Sequence, residues 1–276
     1  TNMKKFIIDV TIFLLLVLVM LHVAAYILLY TKLYQTHVLG NEIYYAIAKS
    51  KKKSRAKKLV MGDSVAQQFF NNKTTDYPVN SIACNQSISM AGQYLLLHNY
   101  LQAGNQVDSI FFIATPFTFS NNLQQVYTFQ YFLKPFYNEE YKPLLTNTVK
   151  KNVSAIPFHQ IASYPLIATT NWAPEFQTVK DSTFTFLSPV SIEYLKKIKD
   201  LSKQYNFKIF FLPTPTPESK RGDIKALNMN EAVVNGLKDE FNGYVSTMVF
   251  LDDNEFLDKV HLKHPNKYSS IFSQIK

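Results

Sequence analysis

The chain has 276 residues, a formal net charge of +9 and 47% apolar content, with 22 Phe and 17 Tyr against only 7 Gly. That length allows one membrane-anchored domain of about 200 residues or slightly more. Scarce glycine, with no Walker-type or Rossmann-type run, argues against phosphate or dinucleotide loops; the single Cys84 cannot form an internal disulfide, and no Cys/His spacing suits a metal, so no cofactor is expected.

From the N-terminus, residues 6–30 are almost continuously apolar. About 20 such residues cross a bilayer as a helix, which satisfies its own backbone polar groups. Tyr26, Tyr30 and Tyr34 suit an interfacial belt. The run exceeds a usual signal-peptide core and no clean small-x-small site follows, so residues 1–30 are read as an uncleaved anchor. Lys4 and Lys5 precede it and favour an inside N-terminus with the domain outside; the seven basic residues after it favour the opposite, but they begin almost twenty residues past the helix end, at the limit where the rule counts. Residues 31–56 read as a helical or extended stalk that turns basic: Lys49, Lys51, Lys52, Lys53, Arg55, Lys57 and Lys58 crowd together. That cluster suits anionic headgroups or an acidic polymer, or is simply a solvated charged linker. Its closeness to the anchor argues against nucleic acid.

Residues 57–276 alternate strand-like and helix-like segments. Strands are predicted at 57–62, 79–84, 109–114, 207–212 and 247–251, with helices opening at Ser64 and spanning 89–102, 189–205, 224–241 and 264–275. Short apolar runs of the SIFFIA type belong in a parallel sheet buried on both faces. Residues 116–187, rich in Phe, Tyr, Asn and Pro, break the rhythm and read as an insertion over the sheet. The loop Pro213-Thr214-Pro215-Thr216-Pro217 is read as irregular. The expected class is α/β.

Two motifs carry chemistry. Gly62-Asp63-Ser64 follows the first strand, and Asp258-Lys259-Val260-His261 follows the last. A strand-to-helix turn presents a serine hydroxyl above the carboxyl edge of a sheet, where its own amide can face a developing oxyanion. His261 is the candidate base, and Asp258, three residues earlier, is placed to orient the imidazole. The order Ser, Asp, His is that of serine hydrolases built on parallel sheets. Gly-Asp-Ser is also an ordinary turn and helix-capping tripeptide. His264 is an alternative base, although only His261 stands three after an Asp. His37, His98 and His159 read as structural, and Cys84 as a small buried apolar residue.

These motifs resemble the SGNH (GDSL-type) hydrolase superfamily over roughly residues 57–276. The resemblance implies a three-layer α/β/α sandwich around a five-stranded parallel sheet, with Ser64 as nucleophile and Asp258 and His261 completing the triad. Asn85-Gln86-Ser87-Ile88-Ser89 resembles the second block of the family, whose glycine amide serves the oxyanion hole; Met90 holds that position here and Gly92 follows two residues later. The third block, usually Gly-x-Asn-Asp, is replaced by Ala114-Thr115-Pro116-Phe117, which leaves Thr115, or Asn121 and Asn122, as substitutes. One missing donor typically costs about 10²–10³ in rate. The implied oxyanion donors are therefore Ser64, Met90, Gly92 and Thr115.

Members with this anchored layout are similar in acting on cell-envelope acyl groups. The resemblance implies an O-acyltransferase or esterase that moves an O-acyl group, acetyl by expectation, through an acyl-serine to or from a sugar hydroxyl of an envelope polysaccharide. It implies a polytopic membrane-bound O-acyltransferase as partner and an extracytoplasmic domain. The alternative is a non-catalytic glycan-binding or assembly subunit. Phe117, Phe119, Tyr127, Tyr131 and Trp172 either stack on sugar rings or pack the insertion.

Overall fold

A computed structural model describes residues 2–29, 31, 34, 40–176 and 186–275. Parts of the expected stalk, of the insertion and of the interfacial tyrosines (Tyr30), together with His37, lie outside the described residues.

Helix α1 (Asn2–Leu29) is the apolar N-terminal segment, and most of its side chains face outward. Its length and composition are compatible with a membrane anchor or a signal sequence. Helix α2 (Asn41–Ser50) lies where a stalk was expected, but Ile43, Ala46 and Ile47 are buried in the main core. Their spacing puts three apolar side chains on one helical face, which makes the segment part of the domain.

Strands β1 (Lys58–Gly62), β2 (Val79–Ser81), β3 (Ser109–Ala114) and β4 (Lys208–Pro213) form a four-stranded parallel sheet in the order β2-β1-β3-β4. Alternate residues serve two cores. Leu59, Met61, Ile110, Phe112 and Phe211 belong to the larger one, with residues of α2, of α4 (Ser89–Gln102) and of α6 (Pro189–Tyr205). Val60, Phe111 and Ile113 face the other, against Ala66, Phe70, Phe272 and Ile275. Both faces are covered, which is why the strands read as unbroken apolar runs.

The fifth predicted strand does not join this sheet. Only Phe250–Leu251 (β6) is extended, and it pairs in parallel with Thr216–Pro217 (β5) in a separate two-stranded sheet. The proline-rich loop, expected to be irregular, therefore contains a short strand. Pro213 closes β4 and the Thr214 amide still reaches Ala114 O at 3.4 Å; Pro215 has no amide to donate, and past it the Thr216 amide bonds to Val249 O at 3.0 Å. The helix expected over 224–241 is two short helices, Arg221–Lys225 and Asn230–Val234, ended by Gly236 at φ 72°. The closing helix is a 3₁₀ segment, Pro265–Phe272.

The insertion packs largely on aromatics. Phe119 is fully buried amid Phe112, Phe186, Phe211, Phe241 and Tyr244, with ring centroids 5.0–5.9 Å from it. This removes Phe119 from any sugar platform, whereas Phe117, Tyr127 and Trp172 are exposed. A four-residue helix in the insertion, α5 (Pro165–Ala168), meets the end of α1.

The basic run is partly consumed by structure. Lys49 Nζ donates to the carbonyls of Asn72 and Thr75 at 2.9 and 2.5 Å, and burial pushes its pKa down to about 8. Lys51 pairs with Glu140, and Lys58 Nζ reaches Ile275 O at 3.0 Å.

Candidate active site

β1 ends on Gly62 at φ 139°, a backbone state that side chains rarely adopt. A Cβ there would lie 1.8 Å from Ile113 O on the neighbouring strand. The chain can therefore turn only because this residue is glycine. Asp63 follows as the N-cap of α3 (Ser64–Phe69), accepting from the amides of Val65 and Ala66 at 2.9 and 3.2 Å through Oδ1. Its Oδ2 accepts from the Thr115 amide at 2.7 Å and the Thr118 hydroxyl at 2.9 Å. Burial holds the Asp63 carboxyl above its ordinary range, against the opposing pull of these four hydrogen bonds. The capping reading of Gly-Asp-Ser thus holds: the cap opens the helix at Ser64 and ties β1 to the loop after β3.

Ser64 Oγ lies 2.8 Å from His261 Nε2, across 197 residues of sequence. On the other side of the ring, His261 Nδ1 lies 2.8 Å from Asp258 Oδ2. Asp258 Oδ1 accepts from the amides of Val260 and His261, each at 2.7 Å. Its partial burial works against ionisation, but the His261 ring and the two amides outweigh it and hold the Asp258 carboxyl below its ordinary range. With Asp258 accepting from Nδ1–H, Nε2 is left to accept a hydrogen bond from the Ser64 hydroxyl. It is His261, rather than His264, that reaches the serine.

The proposed oxyanion donors fare differently. Ser64 opens α3 and Met90 lies in the first turn of α4, where first-turn amides lack acceptors within their own helix. Ser89, just before Met90, has φ 53°, a strained state for a residue with a side chain, and its Oγ accepts from the Ala91 amide at 3.1 Å. Gly92 lies inside α4, where a Cβ would come within 2.6 Å of Ile88 Cβ. Close packing accounts for that glycine. The Thr115 amide is spent on Asp63, and its hydroxyl lies 3.4 Å from that of Thr118. Nor do the asparagines fold back: Asn121 Nδ2 donates to Gln86 O at 2.9 Å, and Asn122 Oδ1 accepts from the Val190 amide at 3.3 Å.

Three residues at the site were not foreseen. Gln68 Nε2 donates to Leu262 O and its Oε1 accepts from the Leu262 amide, both at 3.0 Å, so α3 grips the backbone next to His261. Gln93 is fully buried and donates to Gly62 O at 2.8 Å. Thr118 completes the Asp63 shell. Gln68 stands four after Ser64, one helical turn, and that spacing is the one sequence signal that points to it.

Cys84 is buried, which pushes its thiol up and leaves it unreactive. His159 Nδ1 bonds to Ile156 O at 2.9 Å, a structural contact. Among the described residues no group of three or more His, Cys, Asp or Glu is placed to hold a metal ion. No protein-family model matches this chain, and no curated protein matches it.

Proposed function

We propose that this chain is a serine-dependent acyl-transfer enzyme of SGNH type, with Ser64 as nucleophile, His261 as general base and Asp258 as the group that orients the imidazole. One observation carries the reading: the unbroken relay Asp258–His261–Ser64, with both contacts at 2.8 Å. His261 takes the Ser64 proton as Oγ attacks an ester carbonyl, then returns it to the departing alcohol. Asp258 stabilises the imidazolium formed between those steps. The amides of Ser64 and Met90 are the donors offered to the oxyanion. The two covered faces of the sheet suit a three-layer α/β/α arrangement.

The substrate reading rests on the family resemblance and on α1 as an anchor. We infer an O-acyl group, acetyl by preference, moved to or from an envelope glycan at the extracytoplasmic face. A polytopic O-acyltransferase is the inferred donor partner. The 276-residue chain in detergent, treated with a fluorophosphonate probe, is expected to label at Ser64 and to lose labelling in Ser64→Ala. Equal labelling in both would remove the reading. Acetyl release or transfer to a sugar acceptor then separates hydrolysis from transfer.

A second reading has its own support. The Thr115 amide and the Asn121 and Asn122 side chains are all committed to structure, which leaves only the Thr115 hydroxyl of the substitutes expected for the family's third oxyanion donor. A non-catalytic glycan-binding or assembly subunit would keep polymer binding and show no adduct at Ser64.

A further inference from the structure

From Asn152 to Pro174 the chain contains no Asp, Glu, Lys or Arg, although 18% of the whole is charged. A run of that kind is ordinarily core. Part of it is: Val153, Ile156, Ala162 and Ala168 are buried. Yet Phe158 is 56% exposed, Tyr164 55% and Trp172 45%. The rings of Phe158 and Trp172 meet with centroids 5.8 Å apart, so they form one patch. Two exposed lysines, Lys150 and Lys151, border the run on its N-terminal side.

The position of this run relative to α1 decides what covers it. Helix α5 lies within the run and packs against the last turns of α1. Leu29 is buried with Tyr34 and Ala168, and the Tyr34 hydroxyl donates to Ala168 O at 2.9 Å. At about 1.5 Å per residue, the apolar stretch from Phe6 to Leu29 is about 36 Å long, slightly more than the ~30 Å hydrocarbon core of a bilayer. Burying that stretch brings its last turn to the membrane surface and carries α5 with it. Uncharged backbone, exposed Tyr, Trp and Phe, and flanking lysines are the chemistry of the headgroup layer.

We propose that residues 156–172, through Phe158, Tyr164 and Trp172, are seated in the headgroup layer of the bilayer that α1 crosses. The domain is then held against the membrane at two points, so that its tilt is fixed. This rests on α1 as a spanning helix and not on the serine chemistry.

Trp172 is the only tryptophan, so the intact wild-type chain reports on the patch directly. It is reconstituted into phosphatidylcholine vesicles whose acyl chains carry bromine either near the headgroup or near the bilayer centre. The expected result is loss of Trp172 emission, greater with the shallow bromines. A separate reporter, Tyr26→Trp in a Trp172→Phe background, reads α1 itself. Quenching of that reporter with Trp172 emission unchanged would overturn the proposal and leave a protein partner to cover the patch. Absence of quenching in both would overturn it by showing that α1 does not insert, while fluorophosphonate labelling of Ser64 would still stand or fall alone.

Discussion

Gly62 shows how far one residue can carry a site. Its carbonyl accepts from Gln93 Nε2 at 2.8 Å and from the Cys84 amide at 3.2 Å, so both sides of the turn depend on its placement. Gly62→Ala would force a methyl into Ile113 O, a backbone atom that cannot step aside. The expected cost is above about 3 kcal/mol, seen as a large fall in thermal midpoint or loss of soluble protein. A variant melting with wild type would mean that the turn tolerates a side chain. The Gly-Asp-Ser motif was legible as a cap because the strand-to-helix turn needs one, and the nucleophile proposed at Ser64 uses the same turn. The four-way satisfaction of Asp63 was not legible, because Thr115 and Thr118 reach it only once β1 and β3 are paired.

At the scale of the element, the loop that carries Asp258 and His261 is a closed unit of its own. The Leu257 amide bonds to His261 O at 2.7 Å, the Lys263 amide to Glu255 O at 2.9 Å, and Phe256 and Leu262 form an antiparallel bridge. Asp258 and His261 hang on this exposed loop, while Ser64 sits on α3. Gln68 joins the two by holding both backbone groups of Leu262. It is a positioning residue: it touches neither the relay nor an acyl group. Gln68→Ala is expected to slow fluorophosphonate labelling of Ser64 about 10- to 100-fold, since misplacement near 1 Å costs about that much, with little change in thermal midpoint. Gln68→Glu keeps the acceptor for the Leu262 amide and loses the donor, so it should fall between. Equal labelling rates in wild type and Gln68→Ala would show that the loop holds its own position.

For the whole molecule, α2 changes what counts as the domain. The composition of 31–56 suggested a solvated stalk, yet Ile43, Ala46 and Ile47 close one side of the main core. Two isoleucines and an alanine contribute roughly 4–5 kcal/mol on burial. Against a total stability of about 5–15 kcal/mol, that is a large share. A chain starting at Lys57 is therefore expected to lose cooperative unfolding or to melt far below a chain starting at Asn41, as circular dichroism would show. Coincident melting curves would return the segment to the status of a linker. The lysines around α2 fit the same picture, since Lys49 is anchored to two carbonyls and its charge is partly desolvated.

What the sequence determined by itself is local and periodic. Apolar runs buried on both faces placed β1, β3 and β4, and the 3.6-residue pattern placed α4 and α6, because burial of a strand or a helical stripe leaves its period in the residue order. The Ser-Asp-His order was readable for a similar reason: the first motif abuts β1 and the second follows the last apolar run. Only the tertiary structure decided the partners. Whether 247–251 joined the main sheet, whether α2 was core, and which donors remained for an oxyanion depended on hydrogen bonds between segments far apart in the chain. Such pairings are chosen by the geometry of neighbouring backbone groups, and composition carries no trace of them.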